Sequence, residues 1–163
     1  MSKASSRVAY LCRAAIIAAL YAVLTLLTAG FSSGPVQIRL SETLCVLAVF
    51  TPAAVPGLTV GCVAANLLTG CALWDVVLGS LCTLFGALGV RLLRKLPYLA
   101  PLPYVAANVI GISFLFYFVY GFRGVDWLLY SGLLAVSETI SAWVLGIVLY
   151  LVLRKNARRI FGN

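Results

Sequence analysis

The residues that could do chemistry here are few, and they stand where charge is costly. Glu138 lies about ten residues into the apolar run 127–153. On a helix rising ~1.5 Å per residue that is roughly 15 Å deep, near the centre of a ~30 Å hydrocarbon layer. A carboxylate there costs on the order of 2.5–3.5 kcal/mol on insertion scales, so it must face a partner or a wet cavity. Ser141, three residues on, shares its helical face. Asn108 reaches a similar depth from the opposite side within the run 98–120. Glu42 follows Arg39 by three residues, Asn66 sits one turn from the end of 58–69, and Trp74-Asp75 opens 76–93. Traced through the topology given below, Glu42, Asn66, Trp74 and Asp75 fall at or just under one membrane surface, with Glu138 and Asn108 as a floor. These seven residues, Arg39 included, are expected to form an outward-opening pocket of carboxylates and amides on apolar walls, the composition small-molecule sites favour.

Each has an alternative without a ligand. Arg39 and Glu42 could form an ion pair at a helix start. Asp75 could cap its helix. Trp74 and Trp127 could be interfacial belt residues, and Asn66 and Asn108 could bond one helix to another. Catalysis is poorly served by this chain. There is no histidine, hence no Ser–His or Cys–His pair and no HExxH, and no GxxxxGK(S/T) loop for ATP. Cys12, Cys45, Cys62, Cys71 and Cys82 form no CxxC pair, so packing is their expected role and no metal or cofactor is expected.

The elements that must position these residues are apolar throughout. Of 163 residues 63% are hydrophobic and 10% charged, too few polar groups to clothe a soluble domain, so the bilayer is the expected solvent. One all-α domain, 1–163, is expected: six transmembrane helices over about 8–28, 40–50, 58–69, 76–93, 98–120 and 127–153. The first is expected to be a retained helix, since its apolar run is too long for a signal-peptide core. The link 30–35 follows it, and two prolines and a glycine in 52–57 break the chain between the second and third helices. Those two helices, about 12 residues each, fall short of the ~20 needed to span, which is tolerated where helices line a cavity.

The net charge of +8 sits at the ends of apolar runs, so it speaks for membrane orientation and not for nucleic acid. With the N-terminus inside, the inner segments hold Lys3, Arg7, Arg13, Arg91, Arg94, Lys95, Arg154, Lys155, Arg158 and Arg159; the outer ones hold Arg39 and Arg123. Cytoplasmic loops carry such an excess, so both termini are expected in the cytoplasm. In the first helix Ala14, Ala18 and Ala22 recur every four residues, with Ala15 and Ala19 beside them. A stripe of small residues lets another helix approach closely, whether within this chain or from a partner.

Gln37-Ile38-Arg39-Leu40-Ser41-Glu42, then Phe50-Thr51-Pro52-Ala53-Ala54-Val55-Pro56-Gly57, Ala65-Asn66-Leu67 and Trp74-Asp75-Val76-Val77-Leu78-Gly79-Ser80 resemble the QueT family, most sharply over 13–86. Its members are substrate-binding (S) components of energy-coupling factor (ECF) transporters, associated with queuosine precursors. The resemblance implies a multi-pass protein of the bacterial plasma membrane and no enzyme. It also implies partners: a transmembrane coupling subunit carrying two cytoplasmic ATPases, met through the small residues of helix one. The implied ligand, a 7-deazaguanine base, presents N1–H beside an exocyclic amine, and one carboxylate, Glu138 or Glu42, can accept both. Asn66 or Asn108 could donate to the ring carbonyl, and Trp74, Tyr21 or Trp143 could stack on the base. An aminomethyl group on the ligand would be cationic and would want the second carboxylate. Capture is expected under an outer loop, 30–38 or 70–75. Two other readings stay open: an S component for another vitamin-like solute, and a small membrane protein that transports nothing.

Overall fold

The structure is a computed structural model describing residues 3–29 and 39–161. The link at 30–35 and the candidate outer loop 30–38 lie outside the described residues. Those described are helical: α1 (Lys3–Ala29), α2 (Leu40–Phe50), α3 (Ala54–Leu68), α4 (Leu73–Leu92), α5 (Leu102–Phe118), α6 (Gly124–Arg154) and a short α7 (Ala157–Phe161). By length and apolar composition α1, α4 and α6 can cross a membrane; α2, α3 and α5 are shorter apolar helices.

Several boundaries differ from the expected ones. Only Thr51–Ala53 interrupts the chain between α2 and α3, and Pro56 and Gly57 lie inside α3. Pro56 falls in the first helical turn, where its missing N–H has no intrahelical partner to lose. Three prolines delay α5: Pro97 lies in the turns before it, Pro101 takes the N-cap and Pro103 the first turn, so α5 begins at Leu102 and not near 98. The first part of α2, Leu40–Val46, winds as a 3-10 helix, and α6 contains a π-helical stretch, Thr139–Val144.

Close backbone approach sets the seams. α1 and α3 run parallel, because a Cβ built on Gly57 would come within 2.8 Å of the Ala14 carbonyl oxygen, and one on Gly61 within 2.8 Å of that of Ala18. The Ala14–Ala18 side of α1 is therefore turned inward and Ala22 packs on the core, while Ala15 and Ala19 are exposed. α4 and α5 run antiparallel, with Gly86 against Tyr104 and Gly111 against Cys82. α5 and α6 are likewise antiparallel, tied by Trp127 Nε1 donating to the Ser113 carbonyl at 2.9 Å. At the centre lies α2, in contact with α1, α3, α4 and α6; Cys45, Val46 and Ala48 are wholly buried there.

These pairings bring the start of α1 and the ends of α2, α4 and α6 to one end of the bundle. There the Arg91 guanidinium donates to the carbonyls of Ala48 (3.2 Å) and Val49 (3.1 Å), satisfying the orphan acceptors that end α2. Phe50 is stacked between Tyr150 (5.4 Å) and Phe161 (5.3 Å) at the same end.

Candidate functional site

A cavity of about 670 Å³ enters the bundle from the opposite end, between the α3–α4 turn (Thr69 to Ala72) and the α5–α6 turn (Tyr120, Phe122). That volume suits a small organic molecule. Its polar depth is built from four helices.

Glu42, on the 3-10 part of α2, is 3% exposed. The Tyr21 hydroxyl donates to its Oε1 at 2.8 Å and the Tyr104 hydroxyl to its Oε2 at 2.5 Å. Both phenols are buried, one on α1 and one at the start of α5. Bonds to an ionised acceptor are short and strong, so they hold the carboxylate in one orientation. Glu42 thus belongs to the deep part of the site and not to the rim expected for it. Leu40 at the start of α2 is exposed, but Ser41, Glu42, Leu44 and Cys45 are buried, and the Glu42 side chain reaches α1 and α5. Tyr21 serves this acid and does not line the cavity as a stacking face; Arg39, just ahead of α2, does line it.

Glu138, 7% exposed, ends the regular first part of α6. Its Oε2 accepts from Asn108 Nδ2 at 3.2 Å, so the two residues expected to share a depth meet in space. The π-turn that follows leaves carbonyls for neighbours: that of Ser141 accepts from Thr43 Oγ1 at 3.0 Å and that of Ala142 from Cys45 Sγ at 3.6 Å. These bonds lock α6 to α2 and so fix Glu138 relative to Glu42. The Ser141 hydroxyl is buried but absent from the lining.

Nearer the mouth, Asn66 Nδ2 donates to the Asp75 carbonyl at 3.3 Å and to Cys62 Sγ at 3.6 Å, bridging α3 to α4 while facing the cavity. Asp75 is no helix cap, because Ala72 holds that position; its carboxylate accepts the Tyr120 hydroxyl across the mouth. Trp74 is 58% exposed and outside the lining. Trp143 is also outside it and donates Nε1 to the Tyr98 carbonyl at 2.9 Å, pinning the α4–α5 turn.

The aromatics that do line the cavity are Phe116, Tyr120, Phe122 and Tyr130, none of which sequence reasoning singled out. A signal existed in the density of aromatic residues over 114–122. It was hidden because aromatics near a helix end are equally explained as interfacial residues.

Apolar helices enclosing a solute-sized cavity, with three carboxylates and two carboxamides along it, define an α-helical membrane protein with an internal cavity. A family profile described as QueT transporter matches residues 11–155, and this chain belongs to that family. It is also 45% identical over 86 residues to the Queuosine precursor transporter QueT of Lactococcus lactis subsp. cremoris (strain MG1363). That match covers 50% of this chain and 49% of the relative, so the chain spans about half the length of the curated protein it matches. No solved structure matches this chain.

Proposed function

We propose that this chain is the substrate-binding component of an ATP-driven ECF uptake transporter and binds a queuosine precursor of the 7-deazaguanine type. The observation carrying this is the Glu138–Asn108 pair at the inner part of a cavity of about 670 Å³. Asn108 donates to Oε2, and among the described residues none donates a hydrogen bond to Oε1. A 7-deazaguanine edge offers adjacent N–H donors, and a buried carboxylate accepting both gains from charge and from geometry. Ile112 and Leu134 supply apolar wall, and the rings of Phe116 and Tyr130 supply π-faces; stacking of a base on such a ring is worth roughly 1–3 kcal/mol.

The same reading has six membrane-crossing segments, α1 to α6, with both termini in the cytoplasm of a bacterial cell. The basic residues of α1, α4 and α6 share the end of the bundle away from the cavity mouth, as the positive-inside rule would place them. The short α2 is surrounded by other helices, where a partial span is tolerated. With no ATP-binding loop in the chain, energy would come from two ATPases through a coupling subunit. The exposed Ala15–Ala19 side of α1 is the surface offered to that subunit, since the Ala14–Ala18 side is occupied by α3.

Mass spectrometry of small molecules co-purifying with the protein, followed by calorimetric titration with 7-deazaguanine, tests the ligand. A 7-deazaguanine derivative is expected to co-purify and to bind. Recovery of an unrelated vitamin, with no heat from 7-deazaguanine, would assign the cavity to another solute.

A further inference from the structure

At the end of the bundle away from the cavity mouth the chain carries cations and no side-chain acid. Its four carboxylate side chains all stand elsewhere: Glu42, Asp75 and Glu138 line the cavity, and Asp126 lies in the first turn of α6, at the mouth end. The cations of the far end therefore find no side-chain counter-ion within the chain. Arg91 is turned inward, onto the carbonyls that end α2. Arg94 and Lys95, in the turn between α4 and α5, are exposed.

That turn, 93–101, is rigid. The Leu96 N–H donates to the Leu93 carbonyl at 2.8 Å, and the N–H groups of Leu99 and Ala100 donate to that of Leu96 at 2.9 Å. Pro97 and Pro101 fix two of its φ angles. Ala100 is wholly buried, and the Tyr98 carbonyl accepts from Trp143 of α6. Outward the turn shows Leu96, Tyr98 and Leu99, each about half exposed, beside Arg94 and Lys95. Large apolar groups next to uncompensated cations suit neither water nor hydrocarbon. They suit the boundary between them, where apolar side chains enter the acyl layer and basic ones reach phosphate.

We propose that the α4–α5 turn is a docking site for the headgroup of an anionic phospholipid. Arg94 and Lys95 meet the phosphate, Tyr98 lies at headgroup level, and Leu96 and Leu99 lie against the upper acyl chains. Because the turn is already ordered, it loses little freedom on binding. The lipid also steadies the start of α5. The Tyr104 N–H donates to the Pro101 carbonyl at 3.0 Å, and the Tyr104 hydroxyl holds Glu42. A headgroup that fixes the turn thus fixes one half of the clamp on that acid. The site does not depend on which solute the cavity takes.

The test is native mass spectrometry of the full chain, released from detergent micelles holding equal amounts of phosphatidylglycerol and phosphatidylcholine. The unaltered protein should retain phosphatidylglycerol in about tenfold excess, as two basic groups at an anionic headgroup would produce. Arg94→Gln with Lys95→Gln should bring that ratio close to one. Arg154→Gln with Lys155→Gln, at the same end but off the turn, should leave it within about twofold of the parent. Inorganic phosphate at constant ionic strength should not displace the lipid, since it brings no acyl chain to Leu96 and Leu99. Equal retention of the two lipids by the unaltered protein overturns the site. An equal loss in both double variants also overturns it, because charge would then act diffusely over the whole end. Displacement by phosphate would assign the turn to a free anion instead. Both pairs are exposed, so both variants should melt like the parent in plain detergent; collapse of the Arg94→Gln, Lys95→Gln protein there would show that these side chains serve the fold, and would overturn the proposal as well.

Discussion

The two deep glutamates have different surroundings, and that separates their roles. Glu42 has both oxygens engaged by phenols, whereas Glu138 shares one oxygen with Asn108. Glu138→Gln should therefore weaken 7-deazaguanine binding by more than tenfold, over ~1.4 kcal/mol, because Gln puts an NH2 donor where one of the two acceptor oxygens stood, facing the N–H donors of the ligand. Its melting temperature should change little, since the Gln side-chain oxygen can still accept from Asn108; unchanged affinity on titration would take Glu138 out of the site. Glu42→Gln should act on the fold first. Hydrogen bonds to charged groups contribute about 1.5–3 kcal/mol each, and Gln turns a donor toward one of the two tyrosines. A drop of several degrees in the detergent-solubilised melting temperature is expected. Tyr104→Phe should produce a smaller drop, because the charge survives with one bond fewer; a Glu42→Gln protein that melts like the parent would show that the clamp contributes little.

At the scale of the helices, α1 has two alanine sides with different fates. Gly61→Val would bring a branched side chain against Ala18 and the Cβ of Tyr21, where backbone atoms cannot yield. It should push α1 away from α3, release Tyr21 from Glu42 and reduce the yield of folded, ligand-binding protein. Ala19→Leu lies on the exposed side and should leave binding by the isolated protein within about twofold while cutting ATP-dependent uptake in reconstituted vesicles, as expected for a small-residue docking surface. Normal uptake by Ala19→Leu would move the partner surface off this side of α1. The spacing of the alanines was plain in the sequence; which side is already covered was not. That depends on Gly57 and Gly61, a pair whose partner is chosen only when α3 is placed beside α1. The π-turn of α6 was equally hidden, because its carbonyls are taken by side chains of α2, a helix about a hundred residues away along the chain.

For the whole molecule, polarity runs along the bundle axis, with the cavity mouth, Arg39 and Arg123 toward one end and Arg7, Arg91, Arg94, Lys95 and Arg154 toward the other. Cys71 lines the mouth and is part-exposed. In intact cells a membrane-impermeant maleimide should label it from outside, and a bound solute should slow that labelling. A cysteine placed at Lys95, in the α4–α5 turn, should react only after the cells are opened. Labelling of Lys95→Cys from outside would invert the orientation proposed from the charges. The measurement is best made with Cys12→Ser, so that the exposed thiol of α1 does not contribute.

Composition and the placement of twelve basic residues were enough to read a helical membrane protein, since apolar run length and flanking charge are local properties of the chain. That Asn108 and Glu138 would come level with each other was legible for the same reason, since distance along a helix is a count of residues. What tertiary structure decided is which polar atoms meet. Tyr21 and Tyr104 find Glu42 from 21 and 62 residues away along the chain, and Tyr120 finds Asp75 from 45. Such pairings follow from the rotation and tilt of packed helices. A single buried polar group can be satisfied by any of several distant partners, and only packing selects among them.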